Sequence, residues 1–304
     1  MPERKTCIII CCLAFSVFFR AQTDTLRPGN YKSRRIALIS TTSALTVGSL
    51  VYLNYAWYSQ YNTGKFHFFN DNAEWLQMDK VGHFYTNYQI ARLMMDAFEN
   101  AGYNQKQKLF IGGSIGLGYM TAIEILDGFS RGWGFSWGDE VANSLGTSLA
   151  VCQEAFWNEQ RIQVKFSYAN SGLAKYNPGL LGDTPYTRIL KDYNGQTLWL
   201  SVNPYAFMKR DTKFPKWLNV TLGYSAYGML GGYENNFVVQ DANGNVLKFE
   251  RARRYYLSLD VDLTRIKTKS RFLKTLFSAV NILKFPAPTI QFSQGKFRGY
   301  YLYY

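Results

Sequence analysis

The stretch QRIQVKFSY, residues 160–168, decides the fold, because the period of the apolar residues changes there. Ile162, Val164, Phe166 and Tyr168 alternate with Gln163, Lys165 and Ser167, the two-residue repeat of a half-buried strand. The same alternation returns at Leu218, Val220, Leu222 and Tyr224, and again at Leu257, Leu259, Val261 and Leu263. Asn194-Gly195 and Asn243-Gly244 are hairpin-type turns between such runs. Residues 270–284 interrupt the pattern with a short amphipathic helix, followed by a Pro-Ala-Pro turn and an aromatic end, GYYLYY. About eight strands are expected, as an open antiparallel sheet or a small β-barrel.

Upstream of residue 158 the spacing is helical. Trp75, Met78, Val81, Ile90, Leu93, Met94 and Ala97 predict a helix from about Asn72 to Ala101. A second runs from about Gln105 to Leu126, with glycines 112, 113, 116 and 118 that allow a neighbour to approach closely. A third opens near Ser136, with Ser136 as N-cap and Asp139 in the capping-box position, and ends near Asn158. The expected fold is therefore α+β: a membrane-associated helical bundle over 36–158, then an antiparallel β region over 159–304.

Composition gives a compartment. Aromatics make up 17% of the 304 residues and charged residues 18%, with a formal net charge of +13. A mean hydropathy of -0.20 argues against a polytopic helical membrane protein. Arg4 and Lys5 precede an apolar run from Cys7 to Phe19 and an export boundary at Arg20-Ala21-Gln22, so residues 1–21 read as a signal peptide. Ile9 and Ile10 stand where a lipobox before Cys11 needs small residues, which argues against lipidation. Residues 22–35 read as a basic linker, and no charge follows from Ile36 to Tyr58. That length reaches the roughly 20 residues of a membrane span, although its many Ser and Thr residues fit a buried or half-inserted helix as well. Export disfavours nucleic acid as partner. Anionic lipid head groups, with or without an envelope protein, are the expected partners. Cys152, left alone after export, is expected as a buried thiol.

The segment TAIEILDGFSRGWGFSWGDEVANSLG, residues 121–146, concentrates polar groups inside apolar helical sequence. Its natural partner is the earlier MDKVGHF. Asp79 and His83 share one helix face, Glu124 and Asp127 a second, and Asp139, Asn143 and Gly146 a third. Charged groups in such an interior must be paired, so the three faces should meet. As a reactive set, His83, Glu124, Asp127 and Asp139 would supply acid-base catalysis. Lys80, Arg131, Asn143, Trp133 and Trp137 would hold a head group or substrate. A metal, if one binds, would take Asp79, His83, Glu124 and Asp139, an oxygen-rich set suited to Mg or Mn rather than zinc. The sequence names no cofactor.

These motifs, DKVGHF at 79–84, EILD at 124–127 and GWGFSWGDEVANSLG at 132–146, resemble the YfiM-like family of uncharacterised bacterial envelope proteins. That family is often described as predicted periplasmic lipoproteins. The motifs are more distantly similar to VanZ-like membrane proteins, which share a DKxxH motif but carry Gln where this chain has Asp127. The resemblance covers about residues 75–150 and implies an envelope address, with no reaction attached.

Four roles fit. One is a structural polar network that fixes helix register; a second is an acid-base or metal-assisted hydrolase or transferase acting on a lipid-linked or glycan substrate. The third is a module binding envelope lipid or a protein, and the fourth a passive barrel. His67, in the aromatic loop KFHFF, is expected as an ordinary loop histidine. The basic band around Arg251, Arg253, Arg254, Arg265, Lys267, Lys269, Arg271 and Lys274 is either a solvated edge or a lipid contact.

Overall fold

The structure, a computed structural model, describes residues 31–56, 64–208, 212–235, 238–240 and 243–304. The expected signal peptide and positions 22–30 of the linker lie outside the described residues. Four long helices come first: α1 Tyr31–Ala56, α2 Met78–Asn100, α3 Gln105–Gly128 and α4 Trp137–Trp157. Strands follow, with three shorter helices among them: α5 Pro178–Leu181, α6 Pro185–Lys191 and α7 Arg271–Val280.

The basic linker is corrected at its end, because Lys32, Arg34 and Arg35 already lie in α1. Arg34 and Arg35 donate to the carbonyls of Asn100 and Ala101 at the C-terminus of α2, and the Arg35 guanidinium lies over the Tyr103 ring. Cations there satisfy carbonyls that a helix end leaves open. Leu38 is buried, whereas Ile36, Ile39, Val47 and Val51 of α1 stay exposed. Among the described residues one helix, α3, is long and apolar enough to cross a membrane.

Helix α2 begins six residues later than its spacing suggests. Trp75, Leu76 and Gln77 all adopt left-handed backbone, with φ of 48°, 50° and 66°. Three such non-glycine residues in a row are costly and need external support. The Trp75 N–H donates to the Gly232 carbonyl, Tyr224 Oη donates to the Leu76 carbonyl, and Arg253 donates to Gln77 Oε1. The β region thereby sets where α2 starts.

Helices α2 and α4 pack at Gly146, where an added Cβ would lie 2.2 Å from the Phe84 carbonyl oxygen and 3.1 Å from the Tyr88 nitrogen. Both obstacles are backbone, so no side-chain rotation relieves them. Ser136 caps α4 by accepting from the Asp139 N–H, but the reciprocal bond of a capping box is replaced: the Ser136 N–H donates to Glu124 Oε2 at 3.3 Å.

Six strands form one antiparallel sheet in the order β1-β2-β3-β6-β7-β8, comprising Ile162–Tyr168, Gln196–Val202, Leu218–Tyr227, Ala252–Val261, Ala287–Ser293 and Lys296–Tyr303. Two short strands, β4 Val239–Gln240 and β5 Val246–Leu247, pair as a hairpin closed at Asn243-Gly244. The sheet does not close into a barrel. Asn194-Gly195 joins α6 to β2 instead of joining two strands, and the Pro-Ala-Pro segment already enters β7. One core serves both halves: Met78, Tyr85 and Tyr88 of α2 meet Val164 and Phe166 of β1, Leu198 of β2 and Ala226 of β3. Gln89 of α2 donates to the Val164 carbonyl at 2.6 Å. Cys152 is exposed, against expectation.

The sheet's polarity is the reverse of a soluble half-buried sheet. Asn219, Thr221 and Ser225 of β3, Ser258 and Asp260 of β6, and Thr289 and Gln291 of β7 are buried. Their apolar neighbours Leu222, Leu257 and Ile290 are about half exposed, at 58%, 48% and 52%. The polar side encloses a hydrogen-bonded interior. Lys165 of β1, 1% exposed, pairs with Asp260 of β6 at 2.8 Å and donates to the Val261 carbonyl. Asp260 also accepts from Ser201 Oγ and the Phe285 N–H. Strands β1 and β6 are three positions apart in the sheet, so this pairing requires the sheet to curl around its polar face.

Two outcomes are expected. Lys165→Met should cost about 3–5 kcal/mol in denaturant unfolding because it strands the buried Asp260 carboxylate, and adding Asp260→Asn should recover part of that loss. Gly146→Ala should cost about 1–3 kcal/mol or more in the same assay, since only movement of α2 away from α4 makes room.

Candidate functional site

The three polar helix faces meet. Lys80 is the central cation: its Nζ lies 2.6 Å from Asp71, 2.8 Å from Asp139 and 3.6 Å from Asp79. Beside it, His83 directs Nε2 toward Asp139 at 3.7 Å and Asp79 at 3.9 Å. On the ring's other edge, Nδ1 is 3.1 Å from Asn143 Oδ1 and 3.8 Å from Glu124. Asn143 Oδ1 also accepts from Asn87, and Asn143 Nδ2 donates to Glu140. With Asn143 oriented in this way, Nδ1 carries the proton it donates and Nε2 faces the two aspartates. Tyr193, from the turn before β2, donates to Asp79 Oδ1 at 2.6 Å, and Ser136 Oγ donates to Asp71 at 2.6 Å.

The cluster is almost closed. The side chains of Lys80 and His83 are each 12% exposed, and those of Asp139 and Glu124 are 5% and 2% exposed. Four carboxylates, Asp71, Asp79, Glu124 and Asp139, thus surround one lysine and one histidine, and a buried excess of negative charge must be relieved. Burial pushes Glu124 up to about 8, with Asp139 and Asp127 adding to the rise and His83 opposing it. Asp139 is also raised, by burial first and then by Asp79. Asp71 goes the other way: burial acts upward on it, but hydrogen bonds from Lys80 and Ser136 outweigh that. Burial acts downward on Lys80, yet Asp79 and Asp139 hold it above its ordinary value. Of these carboxylates, Glu124 is pushed furthest toward its protonated form.

Not every expected residue joins. Arg131 is exposed and lies against Gly64, outside the cluster. Asp127 is half-buried and acts on Glu124 through its charge. Trp133 is half-buried in the loop before α4. Trp137 is 62% exposed and stacks on Phe68, in an aromatic patch with Phe66, Phe129 and Phe135. His67 is an exposed loop residue in that patch, as expected. The set of Asp79, His83 and Asp139 brings one possible ligand atom from each residue within 4.8 Å of the others, so these three could hold a metal ion. Glu124, on the far edge of the imidazole, is not in that set.

Sequence reasoning missed Asp71, Asn87 and Tyr193. Asn87 was legible, standing at i+4 from His83 as His83 does from Asp79. Asp71 and Tyr193 arrive from a loop and from the β region, and no local spacing announces them. A cleft lined by Arg92, Glu99, Glu159, Asp262, Arg265 and Lys267 among others does not include His83.

A family described as predicted periplasmic lipoprotein (DUF2279) matches residues 67–155, less than half of the chain. The matched segment contains Asp71, Asp79, Lys80, His83, Glu124 and Asp139, and it supports an exported, envelope-located protein of uncharacterised function. No curated protein and no solved structure matches the chain significantly.

The direction of the Glu124 shift fixes a pH dependence. Its ordinary value is 4.5 and its folded value about 8, so between these the fold binds a proton that the unfolded chain releases. The stability it contributes is complete below about pH 4.5 and is lost as pH rises through about 8. Asp139 acts in the same sense and Asp71 in the opposite one. Glu124→Gln, which keeps an acceptor for the Ser136 N–H, should flatten the fall in melting temperature between pH 6 and pH 8.5 (roughly that window) and raise it at the upper end.

Proposed function

We propose that this is a membrane-associated envelope protein whose polar cluster is a structural keystone, and that its exposed apolar helix faces bind lipid or an envelope partner. The closure of the cluster carries the first part. Lys80 is already neutralised by three carboxylates, and Tyr193 and Ser136 donate to Asp79 and Asp71, so these groups are turned on one another. A working acid-base site would need substrate access over His83, whose side chain is 12% exposed. Supporting the second part, Phe110 and Ile111 of α3, Val141, Leu145 and Phe156 of α4, and Ile36, Ile39 and Val47 of α1 are all exposed, a large apolar surface for a water-facing bundle. The basic composition and the envelope address supported by residues 67–155 fit anionic head groups as the lipid partner. The YfiM-like identity belongs to this reading, on the motifs at 79–84, 124–127 and 132–146.

One observation favours a second reading, a metal-assisted hydrolase or transferase: the convergence of Asp79, His83 and Asp139 on a common point. Lys80 competes with it, since its ammonium already supplies positive charge to both aspartates.

Thermal unfolding of detergent-solubilised protein, wild type against His83→Ala, with and without chelator, separates the two. The keystone reading expects a loss of about 1–3 kcal/mol in the variant, and no effect of chelator on either protein. A wild-type melting point that drops on chelation, with the drop absent in His83→Ala, would transfer the cluster to the metal reading.

A further inference from the structure

The inverted sheet has an outward face that the helices cover only in part. Partner positions across the strands place its apolar side chains in straight rows. Leu200, Leu222, Leu257 and Ile290 form one row, across four neighbouring strands. Val202, Val220 and Leu259 form the next, and Leu218 pairs with Val261 beyond it. On the other side lies an aromatic row of Tyr224, Tyr255, Phe292 and Phe297.

The chemistry is graded along the strands. Beyond the aromatic row stands Arg253, and past the opposite end stand Trp217, 44% exposed, and Lys216, whose ammonium lies over the Tyr205 ring. From the Tyr255 row to the Val261 row is six residues, or about 20 Å of strand. The Lys165–Asp260 pairing makes the sheet curl away from this side, across the strands; along the strands the aliphatic rows lie in the middle of the face and the aromatic and basic groups towards its ends. A protein partner needs polar groups set among the apolar ones to fix its register. A bilayer needs aliphatic side chains deepest, aromatic rings at the interface and cations at the head groups, which is the order found here.

We propose that the outward face of the six-stranded sheet lies against the lipid bilayer, with Leu222, Leu257 and Ile290 in the acyl layer and Arg253 and Lys216 at anionic head groups. This rests on the membrane-associated reading above and adds a second contact surface, separate from the helices. The sheet lies face-down and does not cross, because among the described residues the β8 edge is unpaired and an open edge is not tolerated in hydrocarbon.

The test is flotation of the full chain with vesicles of phosphatidylglycerol and phosphatidylethanolamine, comparing wild type with Leu222→Gln/Leu257→Gln/Ile290→Gln. The three side chains are already about half exposed, so circular dichroism and the melting point should change little. The vesicle-bound fraction should fall about tenfold or more, because three aliphatic side chains lose their apolar environment. A parallel variant, Phe110→Gln/Phe156→Gln, alters the helix faces alone. Wild type that floats together with a sheet variant that floats equally well overturns the sheet proposal and leaves the helix faces as the membrane contact. Wild type that does not float overturns both. If the sheet variant fails to fold, Lys216→Glu, at an exposed residue outside the strands, is the replacement: unchanged binding to these anionic vesicles overturns the proposal, and weakened binding supports it. If sedimentation shows wild type self-associated through this face and the triple variant monomeric, with flotation unchanged, the face belongs to a second copy and the lipid assignment falls.

Discussion

The ammonium of Lys80 is the constraint on which the helical half depends. It joins Asp71 in the loop before α2, Asp79 on α2 itself and Asp139 in the first turn of α4. A buried cation of this kind contributes little net stability over a well-packed apolar substitute, but it is demanding about geometry. Two of the three aspartates are held from a second direction, Asp71 by Ser136 and Asp79 by Tyr193, so a slip of one element leaves a buried charge without its partner. The left-handed turn at Trp75–Gln77 belongs to the same arrangement. It costs backbone energy, and it starts α2 where Asp79 and Lys80 enter the cluster.

Two polar interiors therefore sit side by side in one chain, and both are centred on a lysine. In the helical half Lys80 is surrounded by carboxylates; in the sheet Lys165 meets Asp260 inside a set of hydroxyls and amides. Between them lies the shared apolar core of Met78, Tyr88, Val164, Phe166 and Leu198. Apolar side chains are thus spent on the seam between the halves and on the outer surfaces, while polar residues fill the centres. That distribution suits a protein whose surroundings include an apolar phase.

Much of this was legible in the sequence, for identifiable reasons. The change of period at Ile162 gave the α-to-β transition, and i to i+4 spacing put Asp79 with His83 and Asp139 with Asn143 on common faces. Requiring buried charges to be paired brought those faces together correctly. Local rules failed where distant partners decide. Apolar spacing alone extended α2 back to Asn72, and contacts to Gly232, Tyr224 and Arg253 cut it short. Asn194-Gly195 looked like a hairpin turn, but Asn194 is engaged with Asp192 and Met229 at a helix-to-strand turn. Arg131 was grouped with the carboxylates by proximity in sequence, and it points elsewhere because residues 129–135 leave the helix between α3 and α4.

The alternation in the strands shows how far a period reaches as evidence. A repeat of two states that two faces differ; it does not state which one faces inward. For Leu257, Leu259 and Val261 against Ser258 and Asp260, the usual rule buries the apolar set. In the structure the charged residues mark the inner side. Lys165 and Asp260 stand on the polar face of strands that are not neighbours and pair there, with the buried Lys284 also within reach of the Asp260 charge. Pairing them curls the sheet around its polar side and leaves the leucines outside. The ion pair, with the hydroxyls and amides around it, occupies the inner side of the sheet, and the part of the apolar side that α2 leaves uncovered is the surface that any environment of this protein must accommodate.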